Sequence, residues 1–345
     1  MPRLFRKTWH YRKTLLGLGT LVLAGAYTAS AIPAFAAAPS SPSSPSSVSP
    51  SSVSPSSVSP SSVFVTDARV VAHFDFTAGQ QPENITLEPN GDADVTFAYA
   101  HQVARVTPQG TITILATLPA APSGTTAASG IVRTSDGTLY VNYLDIGGTE
   151  SGIWRISRNG SAEPVAALPD AGFLNGLALD PGTGALFTVD SFAGTVWKVW
   201  PRTGKAEVWA SGQDLQPTAP GGFGVNGLKV HGGSVWVTNS SQGTLLRIPI
   251  LPDGSAGTTV VAATGLASID DFSFTGHGNT VLAAQPGLNQ VDLIASGGAS
   301  RAVLTAADGI SGPSSVAVSG RTVYVTSAAY ATGVDPNLLM ARLGG

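Results

Sequence analysis

Residues 174–211 read LNGLALDPGTGALFTVDSFAGTVWKVWPRTGKAEVWAS, four short runs rich in β-branched and aromatic residues, separated by Gly, Pro and Asp turns. The segment VNGLKVHGGSVWVTNSSQGTLLRIPILPDG follows with the same grammar. It recurs in PENITLEPNGDADVTFAYA, SGIVRTSDGTLYVNY, IDDFSFTGHGNTVLAAQ and PSSVAVSGRTVYVTSA. Aligning the first run of each unit places Glu83, Ser129, Asn175, Asn226, Asp270 and Ser314 in one column, with gaps of 46, 46, 51, 44 and 44 residues. A four-stranded unit of about 45 residues repeated with glycine-rich turns predicts a β-propeller blade, and six units account for residues 64–345. The predicted fold is all-β, a single six-bladed β-propeller. Its last unit offers only three strands, and a spare strand, ARVVAHF, precedes the first. Pairing that N-terminal strand as the outer strand of the last blade closes the ring and removes an open edge.

Upstream of the propeller the chain changes character. Residues 1–36 read as a signal peptide: a basic start, an apolar stretch from Leu15 to about Ile32, and Ala34-Phe35-Ala36 as a small–x–small cleavage site. Cleavage after Ala36 implies a secreted, extracellular protein; the alternative is an uncleaved membrane anchor. Residues 37–63 form a Ser/Pro-rich linker with no apolar face to bury, suited to holding the propeller at a cell surface. The first 63 residues hold five basic residues and no acid, which leaves 13 Lys and Arg against 21 Asp and Glu in the propeller. Such an acidic body predicts no nucleic-acid partner and a monomer that takes a small-molecule substrate or ligand. The absence of cysteine excludes disulfides, thiolate metal sites and a cysteine nucleophile. G-x-S-x-G, H-E-x-x-H and P-loop motifs are absent as well.

The first strand of a propeller blade lines the central channel, so the aligned column predicts a ring of side chains at its mouth. Two carboxylates, two amides and two hydroxyls make an oxygen-only set with charge −2, suited to one hard divalent cation, above all calcium. The competing reading is a polar channel filled with solvent. A second column, Tyr99, Tyr143, Asp190, Asn239, Gln285 and Ser327, falls 13–16 residues later, at the end of each second strand. Those residues either shape a ligand pocket around the ring or close the blade tops. Phe173, Phe192, Phe223 and Tyr330 lie in loops on the same face and would make the mouth partly apolar.

PENI at 82–85, NGL at 175–177 and at 226–228, and DDF at 270–272 resemble the gluconolactonase, regucalcin (senescence marker protein) and luciferin-regenerating family of six-bladed propellers. The resemblance covers residues 65–345. It implies that Glu83, Asn226 and Asp270 bind one divalent cation. It also implies that Asn175 contacts substrate or a metal-bound water, and that Asp270 acts as base. Two positions depart from the family pattern. Phe173 stands where sugar lactonases often carry arginine, and Ile269-Asp270-Asp271 replaces Pro-Asp-Gly. The expected function is therefore a calcium-dependent hydrolase of a lactone or ester more apolar than a sugar lactone. Its substrate pocket would be formed by Asn175, Phe173, Tyr99, Tyr143, Asp190 and Asn239. The alternatives are a non-enzymatic binding propeller with structural calcium, and a non-hydrolytic enzyme resembling strictosidine synthase or cyclase propellers.

Overall fold

The computed structural model describes residues 63–120, 125–146, 148–168 and 171–345. The stretches expected to be a signal peptide (1–36) and a Ser/Pro-rich linker (37–63), apart from Val63, lie outside the described residues. The fold is a six-bladed β-propeller of six antiparallel four-stranded sheets, five of them running from inner to outer strand in chain order. The first strands are Pro82–Leu87, Thr126–Arg133, Leu174–Leu179, Val225–His231, Phe272–Phe274 and Pro313–Ser319. In the last sheet the outermost strand is Phe64–His73, paired antiparallel to Asn337–Gly344 from Phe64↔Gly344 to His73↔Asn337.

Burial explains the strand composition. Second strands such as Leu186–Asp190 and Ser234–Asn239 are buried along their whole length, because a neighbouring blade covers each face. Fourth strands such as Ile112–Thr117 bury little beyond one residue and leave even Ile112 and Ile114 exposed, because no further strand covers their outer edge. The core is divided into six apolar clusters, one per seam between blades. Phe187, Val189 and Val196 of blade 3 meet Val225, Leu228 and Val237 of blade 4 in one of them. The closing strand and the residues flanking it serve two seams: Ala72 and Phe74 pack against Ile85, Val95 and Phe97 of blade 1, while Val63, Val65 and Val70 join Leu282, Leu304 and Leu343.

Each first strand carries an irregularity at the aligned column. Register slips fall between Pro82 and Ile85, Ala128 and Ile131, Leu174 and Leu177, Val225 and Leu228, and Pro313 and Ser315. In blade 5, Asp270 and Asp271 both pair with Ala284: Asp270 N donates to its carbonyl at 2.9 Å, and Ala284 N donates to the Asp271 carbonyl at 2.9 Å. A β-bulge leaves one residue unpaired and re-aims the side chains around it. Here the freed amides of Asn84, Gly227 and Ser315 find threonine hydroxyls on the second strands, Thr96, Thr238 and Thr326, at 2.8–3.1 Å.

The residue after the column decides how closely blades approach. A Cβ on Gly130, Gly176 or Gly227 would stand 2.3–2.5 Å from atoms of the next blade. This is the physical content of the two NGL motifs. Gly176→Ala should cost about 1–3 kcal/mol in denaturant unfolding, the usual penalty for overpacking. Gly297→Ala, whose Cβ would meet nothing within 4 Å, should stay within about 0.5 kcal/mol of the parent. Deleting residues 64–76 should leave the Asn337–Gly344 edge unpaired and give insoluble or strongly destabilised protein, whereas deleting 37–60 should leave the melting temperature unchanged. Equal tolerance of both deletions would contradict the role given to the closing strand.

Candidate functional site

The six column residues do not all face the axis. Ser129 Oγ donates to the Leu174 carbonyl at 2.8 Å, and Ser314 Oγ donates to the Pro82 carbonyl at 2.6 Å. In each case the acceptor is the residue just before the column position of the next blade. Ser191 and Ser240 make the same kind of link, to Val225 at 2.6 Å and Ile269 at 2.7 Å. The expected ring of six converging oxygens is therefore corrected. Its two serines are interblade ties, since a hydroxyl buried against an unpaired carbonyl bonds it rather than an open channel.

Four members remain: Glu83, Asn175, Asn226 and Asp270. Glu83 and both asparagines are buried, and Asp270 keeps some contact with solvent while standing deep among protein atoms. Burial, reinforced by the Asp271 charge, raises the Glu83 carboxyl above the ordinary range, and the Tyr330 hydroxyl opposes this by donating to its Oε2. Asp270 is raised well above a normal aspartate, first by burial and then by repulsion from Glu83 and Asp271; Asn226 and Lys229 act in the opposite direction. Two carboxyls held this way lack a positive partner. Asn226 supplies a third oxygen. Its Nδ2 donates to Ser240 Oγ at 2.9 Å. Ser240 spends its own proton on the Ile269 carbonyl, so the amide orientation is fixed. Asn226 Oδ1 is left buried with no hydrogen-bond partner. The three residues thus fit a hard cation in donor chemistry: two carboxylates and one free amide oxygen. No group of three His, Cys, Asp or Glu side chains suited to a metal occurs among the described residues.

The second column resolves into loop clamps. Asp190 accepts the backbone N–H groups of Gly172, Phe173, Phe192 and Ala193 at 2.6–3.1 Å. Asn239 Nδ2 donates to the carbonyls of Asp214 and Gln216, and Ser327 Oγ accepts from Ser311 N. Tyr143 is buried in the seam between blades 1 and 2 against Trp154, its hydroxyl on the Pro119 carbonyl. Tyr143, Asp190 and Asn239 are thus placed as supports for the loops that cross between blades, and the pocket role expected of them is corrected. Tyr99 escapes that role because the ladder pairs Pro82 with Phe97, which puts Tyr99 two residues beyond the strand. It is 40% exposed, packs edge-on to Tyr330 at 6.0 Å, and its hydroxyl is pushed up to about 12 by burial and the Glu83 charge.

Phe173 joins Phe192 and Phe223 in a cluster with ring centroids 5.1–5.4 Å apart, on the face where Asn175 and Asn226 begin their strands. The mouth therefore carries a tyrosine pair beside Glu83 and a phenylalanine triad beside the two asparagines. His101, the histidine nearest this face, holds its ring nitrogen on the Leu118 carbonyl at 2.7 Å. Two surface hollows of about 320 and 310 Å³ lie elsewhere, at the outer edge of blade 6 and between blades 1 and 2, and neither includes a column residue.

Missing from the sequence reading were Lys229 and Asp271. Lys229 Nζ reaches both carboxylate oxygens of Asp271, the residue next in the chain to Asp270, at 2.7 Å. The freed parity of the bulge was the available signal, since it sends neighbouring residues to the same side.

Comparison of the sequence with protein-family models and with curated proteins gave no match. Solved structures share the fold at low identity. A luciferin-regenerating enzyme aligns with TM-score 0.61 and 12% identity over 81% of this chain and 97% of its own. A gluconolactonase-like protein gives 0.60 and 16% over 81% and 92%. Virginiamycin B lyase from Staphylococcus aureus gives 0.54 and 17% over 76% and 81%.

A carboxyl that folding pushes upward destabilises the fold as pH rises past its unfolded value, near 4, toward its folded value. In metal-free protein Asp270→Asn should therefore raise the melting temperature at pH 8, by about 2–4 °C per pKa unit of elevation. The gain should fade as the pH approaches 4. A loss of stability at pH 8 would mean that ionised Asp270 is stabilised by the fold.

Proposed function

We propose that this propeller is an exported, calcium-dependent hydrolase of lactones or esters more apolar than sugar lactones. The observation that carries the proposal is the unpartnered, buried Oδ1 of Asn226 beside two carboxyls that burial and neighbouring carboxylates hold high. Glu83, Asn226 and Asp270 would hold the cation through oxygen. Calcium, when bound, supplies Lewis-acid polarisation of a substrate carbonyl.

The rest of the chemistry belongs to the chain. Asn175 orients the substrate by its amide. Asp270 takes the proton from the attacking water as the carbonyl carbon becomes tetrahedral, and returns it to the departing alkoxide oxygen as the acyl C–O bond breaks to leave the acid and the alcohol. Tyr99, held in its neutral form across the physiological range, offers a hydroxyl proton at the mouth. The Phe173, Phe192 and Phe223 rings form the apolar wall against which an alkyl or aryl group packs. Export and surface display follow from residues 1–36 and the 37–63 linker, and a small molecule is the partner.

A sugar lactone meeting the phenylalanine wall leaves hydroxyls unpaired, and each costs about 1–3 kcal/mol, roughly ten- to a hundredfold in selectivity. kcat/KM should therefore favour hydrophobic lactones or aryl esters over gluconolactone by at least about tenfold. Chelator should abolish the activity, and Phe173→Arg should narrow the gap. A preference for gluconolactone in the parent would overturn the substrate class. Calcium uptake with no turnover across the panel would leave a binding propeller instead.

A further inference from the structure

Asp271 occupies the position that is glycine in blades 2, 3 and 4. The three blades without that glycine carry Asn84, Asp271 and Ser315, and these side chains bond one another. Asn84 Nδ2 donates to Asp271 Oδ2 at 3.0 Å, and Ser315 Oγ donates to the same oxygen at 2.7 Å. Lys229, from blade 4, completes the cluster on both oxygens and lies 5.7 Å from the Phe272 ring centre. Asp271 is 1% exposed. Side chains of four blades thus close the floor under Glu83, Asn226 and Asp270.

Asn84 and Ser315 would be satisfied equally by an amide oxygen, so of the three donors only the Lys229 ammonium, on both carboxylate oxygens, calls for a charge at residue 271. A third carboxylate beside Glu83 and Asp270 is unfavourable by itself, and both feel its charge. We propose that Asp271 and Lys229 form a built-in charge regulator beneath the cation site, the carboxylate deepening the field that draws a divalent cation and the ammonium limiting it. Neither touches the cation; both act through the field at Glu83 and Asp270. The proposal deepens the calcium reading and rests on it.

A pair with a merely structural role would weaken the site alike whichever partner were removed. A charge regulator responds with opposite signs. The test is competition titration of calcium chloride into the purified full chain, with a chromophoric chelator as reporter. Asp271→Asn should bind calcium at least about tenfold more weakly, and Lys229→Met at least about threefold more tightly. The double variant should return to within about threefold of the parent. Removing both charges also avoids a buried unpaired ion, so the double variant retains the fold even if Lys229→Met does not, as melting curves in chelator will show. The inference falls if Asp271→Asn binds like the parent, if both single variants weaken binding alike, or if the double variant stays as weak as Asp271→Asn. A parent that takes up no calcium overturns the calcium reading and this inference together, whereas a parent that binds while the variants behave alike overturns the inference alone.

Discussion

The centre of this propeller is governed by how closely six first strands can approach one axis. At the column position the backbones of neighbouring blades come within hydrogen-bonding distance, and each strand answers with a bulge. The bulge frees amides and carbonyls that have no ladder partner, and buried polar groups cannot be left so. Serine, threonine and asparagine side chains of the adjoining blade take them up. Thr96 binds the Ser129 carbonyl, Asn142 the Asn175 carbonyl and Thr238 the Asp270 carbonyl. The polar ring is thus first a solution to a backbone problem. The column side chains that it does not need for that purpose are Glu83, Asn175, Asn226 and Asp270.

That division also accounts for the electrostatics. Glu83 and Asp270 are held on a rigid frame close enough to repel, with Tyr330 and Lys229 supplying partial relief. An arrangement that keeps two carboxyls high and an amide oxygen unpaired is unfavourable for folding alone. Such local conflict is where a ligand's contribution is greatest, because the free energy it releases includes relief of the repulsion.

The repeat, the number of blades and the acidic column were legible in the sequence because every unit restates them. The orientation of individual residues was not. Alternation along a strand assigns every second side chain to one face, but a bulge adds a residue and reverses the parity beyond it. By simple alternation from Asn226, Lys229 would point away from the channel; the extra residue at Gly227 brings it in. The same slip sets Asp271 beside Asp270. Tyr99 and Tyr143 looked equivalent at similar spacings, yet Ala128 pairs with Tyr143 and Pro82 with Phe97, so one tyrosine braces a seam and the other reaches the mouth. The aligned column places Ser129 and Ser314 in the polar ring, but their carbonyl acceptors belong to another repeat, and no spacing within one repeat reveals those.

The pairing of Phe64–His73 with Asn337–Gly344 also sets the order of events during biogenesis. Val70 faces Leu339 across some 270 residues of intervening chain. Closing so long a loop is not much more expensive than closing a short one, since the entropic penalty grows only with the logarithm of length, about 0.6 kcal/mol per doubling. It is slow, however, because contacts of such separation form late. The first strand to leave the ribosome is the last to find its neighbour. Until then, five complete blades and one incomplete blade must persist with their seams partly open. A chain made from its N-terminus would meet that condition throughout synthesis, and ring closure could complete only after the last blade had emerged.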